Sequence, residues 1–441
     1  MSLIALLSGE PKALGKHVVT SYKSSKYFMN FIGIDFGTSN SLASLVTDGK
    51  IEFVEFPDGG ISNPTILYYP ARGKQFYVGN DAVMRYLSHL EESDGAGRLM
   101  LSIKSLLPEA DFDYTTVAGH GRQTVEDMVA KFLATLKQFA EQKFAKTFEG
   151  VVLGRPVHFS ELAVSRLERA AKLAGFTEVI FWLEPVAAAL SFEMDSTRDE
   201  LVCVVDIGGG TSDVCVIETS PSRSLQSDRL NDIKAVSGVY LAGDALSSEI
   251  MKHKLAPRFG AGSTYKSMNK TMPFPGHIIN KLAQWHRINL LRAAGDVSTI
   301  SSIVPYSNRP KDVERLLNLI KHHYGFELFR AIDTAKRHLS DNEMAVIKFN
   351  PLDLAEEVRL DEFENMIGSV VDAIKQSIFD SLSVASVKPS DITQVLLTGG
   401  TSQVPKINHS IIDIFGREKI LRPDFFSSVA TGLGHIASRF Q

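Results

Sequence analysis

Two stretches of the chain pass from apolar runs into polar corners in the same order. Residues 31–36 are almost wholly apolar, carry Asp35 near their end, and turn at Gly37 into Thr38, Ser39 and Asn40. Apolar positions then resume at Leu42. Residues 201–217 repeat this order. An apolar run reaches Asp206, turns at Gly208, Gly209 and Gly210, offers Thr211 and Ser212, and becomes apolar again from Val214. Asp206 stands 171 positions after Asp35, far beyond a solenoid period. The pattern predicts two similar domains, each opening with a hairpin whose corner grips a ligand.

Elsewhere the period changes. Val125, Met128, Val129, Phe132, Leu133, Leu136 and Phe139 recur at helical spacing within 123–148, and Thr124 with Asp127 approximates a capping box. A strand at 150–157, a helix from about Ser160 to Ala174 stopped by Gly175, a strand at 178–183 and a small-residue helix after Glu184-Pro185 follow. Strands alternating with helices imply α/β domains with partly parallel sheets. The second half predicts a loop at 220–232 and a stretch without clear period at 260–310. A helical run over roughly 311–340, broken near Gly325, comes next. A strand at 392–398, a helix from about Pro405 and a last helix over about 427–439 complete the chain.

Bulk properties narrow the function. The 441 residues suffice for two or three domains. A net charge of −4 gives no general attraction to nucleic acid or an anionic membrane. No apolar run approaches the roughly 18 residues of a membrane helix. The early run Leu3–Leu7 lacks the basic start of a signal peptide. Residues 1–28 are expected to be a poorly ordered extension, with Met29 an alternative natural start, and the location is expected to be the cytoplasm. Cys203 and Cys215 flank the second corner on apolar strands. They read as buried thiols in a reducing compartment.

A glycine corner lets backbone N–H groups approach an anion, and neighbouring hydroxyls add donors. An aspartate cannot meet a phosphate without a cation between them. Aspartate, glycine and threonine together therefore imply a metal–phosphate complex, most often with magnesium. No sequence of the P-loop form is present, which excludes a Walker-type site. Two further stretches fit a nucleoside, the first of them equally a phosphate. Thr398–Pro405 places Gly399, Gly400 and Thr401 between a strand and a helix. Asp333, Lys336, Arg337 and Ser340 share one face of a helix. That face suits either solvated ion pairs or contacts to a purine and its ribose.

With these motifs in order, the chain resembles the ATPase domain of the DnaK-type, seventy-kilodalton heat-shock chaperones, and within them the short YegD-type members. The likeness runs from about residue 31 to the C-terminus. GIDFGTSNS and VVDIGGGTSD resemble the two phosphate motifs, RLMLSIKSLL the active-site lysine segment, and LEPVAAAL the catalytic glutamate segment. AKRHLS and LLTGGTSQVPK resemble the two adenosine motifs. The resemblance implies an α/β, actin-like ATPase fold of duplicated ribonuclease-H-like domains, two lobes around a nucleotide cleft. Lobe I would span 29–200 and lobe II 201–441, with a divergent insertion at about 255–320.

The resemblance also implies ATP or ADP and Mg2+ as cofactors. Asp35 and Asp206 would hold the metal through water. Lys104, Glu184, Asp206 and Asp213 would be catalytic. Gly37, Thr38, Ser39, Asn40, Gly208, Gly209, Gly210 and Thr211 would bind phosphates. Asp333, Lys336, Arg337, Ser340, Gly399, Gly400, Thr401, Gln403 and Asp424 would bind the nucleoside. The expected activity is slow ATP hydrolysis by a chaperone-like protein without its own peptide-binding domain, signalling to an unknown protein partner or client. An actin-like filament protein, a small-molecule kinase and a non-hydrolysing nucleotide sensor are the alternatives.

Several positions depart from the family pattern. Gln403 stands where a second adenine-facing arginine is usual, and Asp333 where glutamate is common. LAGDALS (241–247) has fewer acidic residues than its counterpart, with Ala245 and Ser247 in their place. No arginine lies between Val179 and Glu184, which counts against docking of a J-domain co-chaperone.

Overall fold

The computed structural model describes residues 29–90, 97–223, 229–422 and 427–440. The predicted extension at 1–28 lies outside them. The described residues divide into two compact units, those within 29–240, 373–402 and 409–440 forming one, and those within 241–372 and 403–408 the other.

The larger unit contains two sheets of the same design. Across its five-strand path the first runs Lys50–Phe53, Asn40–Thr47, Phe31–Phe36, Gly150–Arg155, Glu178–Leu183. The second runs Ile233–Val239, Ser212–Thr219, Glu200–Ile207, Gln394–Thr398, Ile420–Leu421. Numbered along the chain, both have the order 3-2-1-4-5. In each, the first three strands are antiparallel and the last two join parallel to the first. The repeat seen in the two corners therefore extends through whole sheets.

Helices cover the first sheet on both faces. Val125–Phe144 and Glu161–Leu173 bury one apolar stripe each against one face. The capping box of Thr124 and Asp127 is formed reciprocally, and Ser160 caps the second helix. Helix Glu184–Glu193 is apolar nearly all round and is buried on every side. It lies against strands of the second sheet and against helix Ser428–Ala437, whose own partners are strands Phe31–Phe36 and Asn40–Thr47. This close approach depends on glycine. A Cβ on Gly432 would sit 1.9 Å from the Ala187 carbonyl oxygen, and one on Gly33 would sit 2.4 Å from Gly434 N. Ser44 Oγ donates to the Ala430 carbonyl at 2.6 Å and closes the contact.

The smaller unit holds mostly helices and two short hairpins. The aperiodic stretch at 260–310 resolves into hairpin Thr264–Ser267/Lys270–Pro273 and helices Gly276–Ala283 and Ala294–Ile303. The long helical run is two helices, Pro310–Lys321 and Gly325–His338. They separate at 322–324, where His323 is left-handed at φ +61°. Trp285 packs on Phe326 and Phe329 of the second helix. Among the described residues, no helix is long and apolar enough to cross a membrane.

Candidate functional site

Each corner is held from behind by a threonine. Thr65 Oγ1 donates to the Gly37 carbonyl at 2.8 Å, and its N–H donates to the Ser39 carbonyl at 2.8 Å. Thr401 Oγ1 donates to the Gly208 carbonyl at 2.7 Å. The segment carrying Gly399, Gly400 and Thr401 is thereby tied to the second corner. Gly399 is left-handed at φ +76°, and a Cβ there would meet the Ile207 carbonyl oxygen at 2.2 Å, so only glycine fits.

The two corners face one another. A Cβ on Gly209 would lie 2.2 Å from Ser39 Oγ, and one on Gly210 would lie 2.8 Å from Thr38 Oγ1. Hydroxyls of the first corner thus meet the bare backbone of the second. Asn40 begins the strand after the first corner, and Thr211 closes the second by accepting from Gly208 N–H at 3.0 Å.

Behind these donors lies a group of carboxylates. Asp206 and Asp213 are opposite each other across their hairpin, while Asp35 is opposite Leu42 in the first. Burial, followed by the charge of Glu184, pushes Asp35 up to about 8, Asp206 up to about 6 and Asp213 up to about 8. Asp206 also raises the other two, and Lys104 pulls Asp35 and Asp206 back down. Val157 N–H donates to Asp213 Oδ1 at 2.7 Å.

Glu184 opens its helix, with Pro185 in the first turn. Its Oε1 accepts from Lys104 Nζ at 2.6 Å, and the side chains are 9% and 3% exposed. Lys104 belongs to the 3₁₀ turn Ile103–Leu106, entered through left-handed Ser102. Arg166 anchors the following residues by donating to the carbonyls of Leu107, Glu109 and Phe112. Sequence reasoning missed this arginine. The available signal was a charged residue among the buried positions Ala163, Leu167 and Ala170 of an amphipathic helix. Arg155, the last residue of its strand, was missed as well. It is 7% exposed and lies in the field of Glu184 and Asp213. A charge closing an apolar strand before a proline was its signal.

The other expected nucleoside residues are distributed between the units. In the smaller unit, Asp333 accepts from Lys336 and Arg337 at 2.8 Å each. Burial works to raise Asp333, and the two cations outweigh it, holding the carboxyl below its usual value. Lys336 also donates to the Gly243 carbonyl and Ser247 Oγ, both at 3.1 Å. Arg337 is largely exposed. The helix ends at His338, so Ser340 follows it in a turn. Gln403 is exposed in the same unit. Asp424 lies outside the described residues. Cys203 and Cys215 are free and buried. His322 stacks on Tyr324.

Among the described residues, no group of three or more His, Cys, Asp or Glu side chains is arranged to hold a metal directly. One or two carboxylates with water are a different matter. Asp35 and Asp206, half-buried and close enough for the charge of Asp206 to raise Asp35, suit a hard, hydrated divalent cation that keeps several waters.

Comparison with known proteins gives a consistent result. The family described as Hsp70 protein matches residues 102–224 and 321–437. "Chaperone protein DnaK" of Mesomycoplasma hyopneumoniae (strain J) is 27% identical over 385 residues, covering 86% of this chain and 53% of that protein. The protein of the same name from Mycoplasmopsis pulmonis is 25% identical over 415 residues, covering 89% and 56%. That of Thermosipho melanesiensis is 25% identical over 404 residues, covering 91% and 58%. The chain therefore spans about half the length of the curated relatives it matches.

Proposed function

Because the chain belongs to the Hsp70 family, we propose that it binds ATP and ADP with magnesium and hydrolyses ATP slowly as a chaperone-like protein. Its duplicated sheets are those of the actin-like ATPase fold. The observation that carries the reading is the meeting of the two corners, Thr38 and Ser39 against Gly210 and Gly209, beside buried acidic groups.

In this reading the glycine amides and the hydroxyls of Thr38, Ser39 and Thr211 bind phosphate oxygens, with Asn40 alongside. Asp35 and Asp206 would hold a hydrated magnesium ion, which on binding neutralises phosphate charge. Lys104, kept in place by Glu184, brings positive charge to the terminal phosphate. Glu184 and Asp213 orient the attacking water. Its oxygen bonds to the terminal phosphorus, the bridging P–O bond breaks, and ADP leaves with the electron pair. The proton released from water passes to a carboxylate and then to solvent. Little covalent work falls to the protein, since phosphoryl transfer depends on positioning and electrostatics. A protein client or partner reads the nucleotide state.

The test is calorimetric titration with ATP, with and without magnesium, followed by single-turnover release of inorganic phosphate on the same sample. Magnesium-dependent binding and slow phosphate release without an added acceptor are expected. No binding at millimolar ATP would overturn the reading.

A further inference from the structure

We propose that Arg155 is a built-in phosphate-binding residue, whose guanidinium takes the terminal phosphate of ATP and stabilises charge there during hydrolysis. The inference rests on the ATP reading above. Its own ground is the unusual state of this side chain.

Arg155 is 7% exposed, yet among the described residues it forms no ion pair. Its one hydrogen bond there runs from Nη1 to the Pro156 carbonyl at 3.4 Å, beyond the usual 2.7–3.2 Å range. A guanidinium carries five N–H donors, and buried polar groups are normally satisfied. Other buried arginines of this chain obey that rule. Arg229 bonds Glu193 and Asp232, and Arg166 takes three carbonyls. Arg155 alone of these three keeps nearly all its donors uncommitted.

Its placement is fixed by the chain on either side. Arg155 pairs in register with Leu183, the residue before Glu184. Two residues on, Val157 N–H bonds Asp213. His158 Nε2 accepts from Gly238 N–H at 3.1 Å, and Tyr240 Oη donates to the His158 carbonyl at 2.5 Å. These three bonds pin Val157 and His158 to the second sheet, at Asp213 of its hairpin, at Gly238 of its edge strand Ile233–Val239 and at Tyr240 just after it. Glu184 is already engaged by Lys104, and Asp213 by Val157. Burial lowers the guanidinium pKa while Glu184 and Asp213 hold it up, which is the balance of a cation close to carboxylates but bonded to none. A planar fork with free donors in a dry, acidic surrounding is suited to a phosphate that arrives with its own divalent cation. Arg155 is unchanged by the reaction. Water and ATP supply every atom of ADP and phosphate.

The experiment compares the wild type with Arg155→Met and Arg155→Lys in binding of Mg·ATP and Mg·ADP, single-turnover hydrolysis and thermal unfolding without nucleotide. In Arg155→Met, ATP affinity should fall about 10- to 100-fold, as for loss of a charge-assisted hydrogen bond. ADP affinity should hold, and hydrolysis should fall on the order of 10²-fold or more. Thermal stability without nucleotide should stay level or rise, because a buried, unpaired charge has been removed. Arg155→Lys should recover part of the ATP affinity. Should the Met variant not fold, the Lys variant carries the same ATP-against-ADP comparison. Equal losses for ATP and ADP, or unchanged ATP binding and turnover, overturn the assignment. Failure of the wild type itself to bind nucleotide overturns it together with the ATP reading, so the two failures are told apart.

Discussion

Replacing Lys104 by methionine tests the charge balance of the site without requiring any ligand. Lys104 Nζ lies 2.6 Å from Glu184 Oε1 and both side chains are buried. At an effective dielectric of about 20, that separation corresponds to about 6 kcal/mol of attraction. Breaking a buried pair from one side costs about 3–5 kcal/mol in practice. The loss should depend on pH. Asp35 and Asp206 have folded pKa values of about 8 and about 6, above their unfolded value. The stability such groups contribute is fully present below the unfolded pKa and is lost as pH rises through the folded one. Lys104 lowers both groups, so its removal extends that loss. Lys104→Met should cost about 3–5 kcal/mol at pH 8.5 and at most half as much at pH 5.5. The assay is urea unfolding at both values, read by Trp182 fluorescence in a Trp285→Phe background. Trp182 is buried two residues from Glu184, and these are the two tryptophans of the sequence. A deficit of equal size at both pH values, or none at pH 8.5, would refute the reasoning.

Magnesium binding should release protons near neutral pH, because desolvation and then the charge of Glu184 keep Asp35 and Asp206 protonated above their usual range. Titrations in buffers of different ionisation enthalpy should show this, with affinity rising as pH increases from 6 to about 8.5. Gly209→Ala should force the new methyl against Ser39 Oγ, which lies 2.2 Å from its position. ATP and ADP affinity should drop about tenfold or more with little change in melting temperature, and adding Ser39→Gly should restore part of it. Gly432→Ala should act oppositely. Its methyl meets the Ala187 carbonyl oxygen at 1.9 Å, so urea unfolding should show a loss of at least about 3 kcal/mol, the top of the usual overpacking range.

The strands and most helices were legible because their signals are local. Glu178–Leu183 appears where its apolar run stands, and Thr124 with Asp127 caps the helix its spacing announced. The two corners were legible because an aspartate, glycines and hydroxyls recur in one order. Other features were hidden because they depend on residues far apart in the chain. Gly325 marked the break in the helical run, yet nothing local says that His323 would turn left-handed beside it, or that Thr65 would pin the first corner. Arg166 and Arg155 lie within the predicted helix and strand, yet their surroundings depend on carbonyls and carboxylates brought near by other elements.

Residue order by itself determined the duplicated hairpins, their glycine- and hydroxyl-rich corners and the alternation of strand and helix, since these follow from periodicity and side-chain type. Only the tertiary structure decided that Ser39 and Thr38 meet Gly209 and Gly210, that Lys104 reaches Glu184, and that Arg155 is buried with no ion-pair partner among the described residues. Such facts are sums over long-range contacts, and burial changes the energy of every charge it encloses.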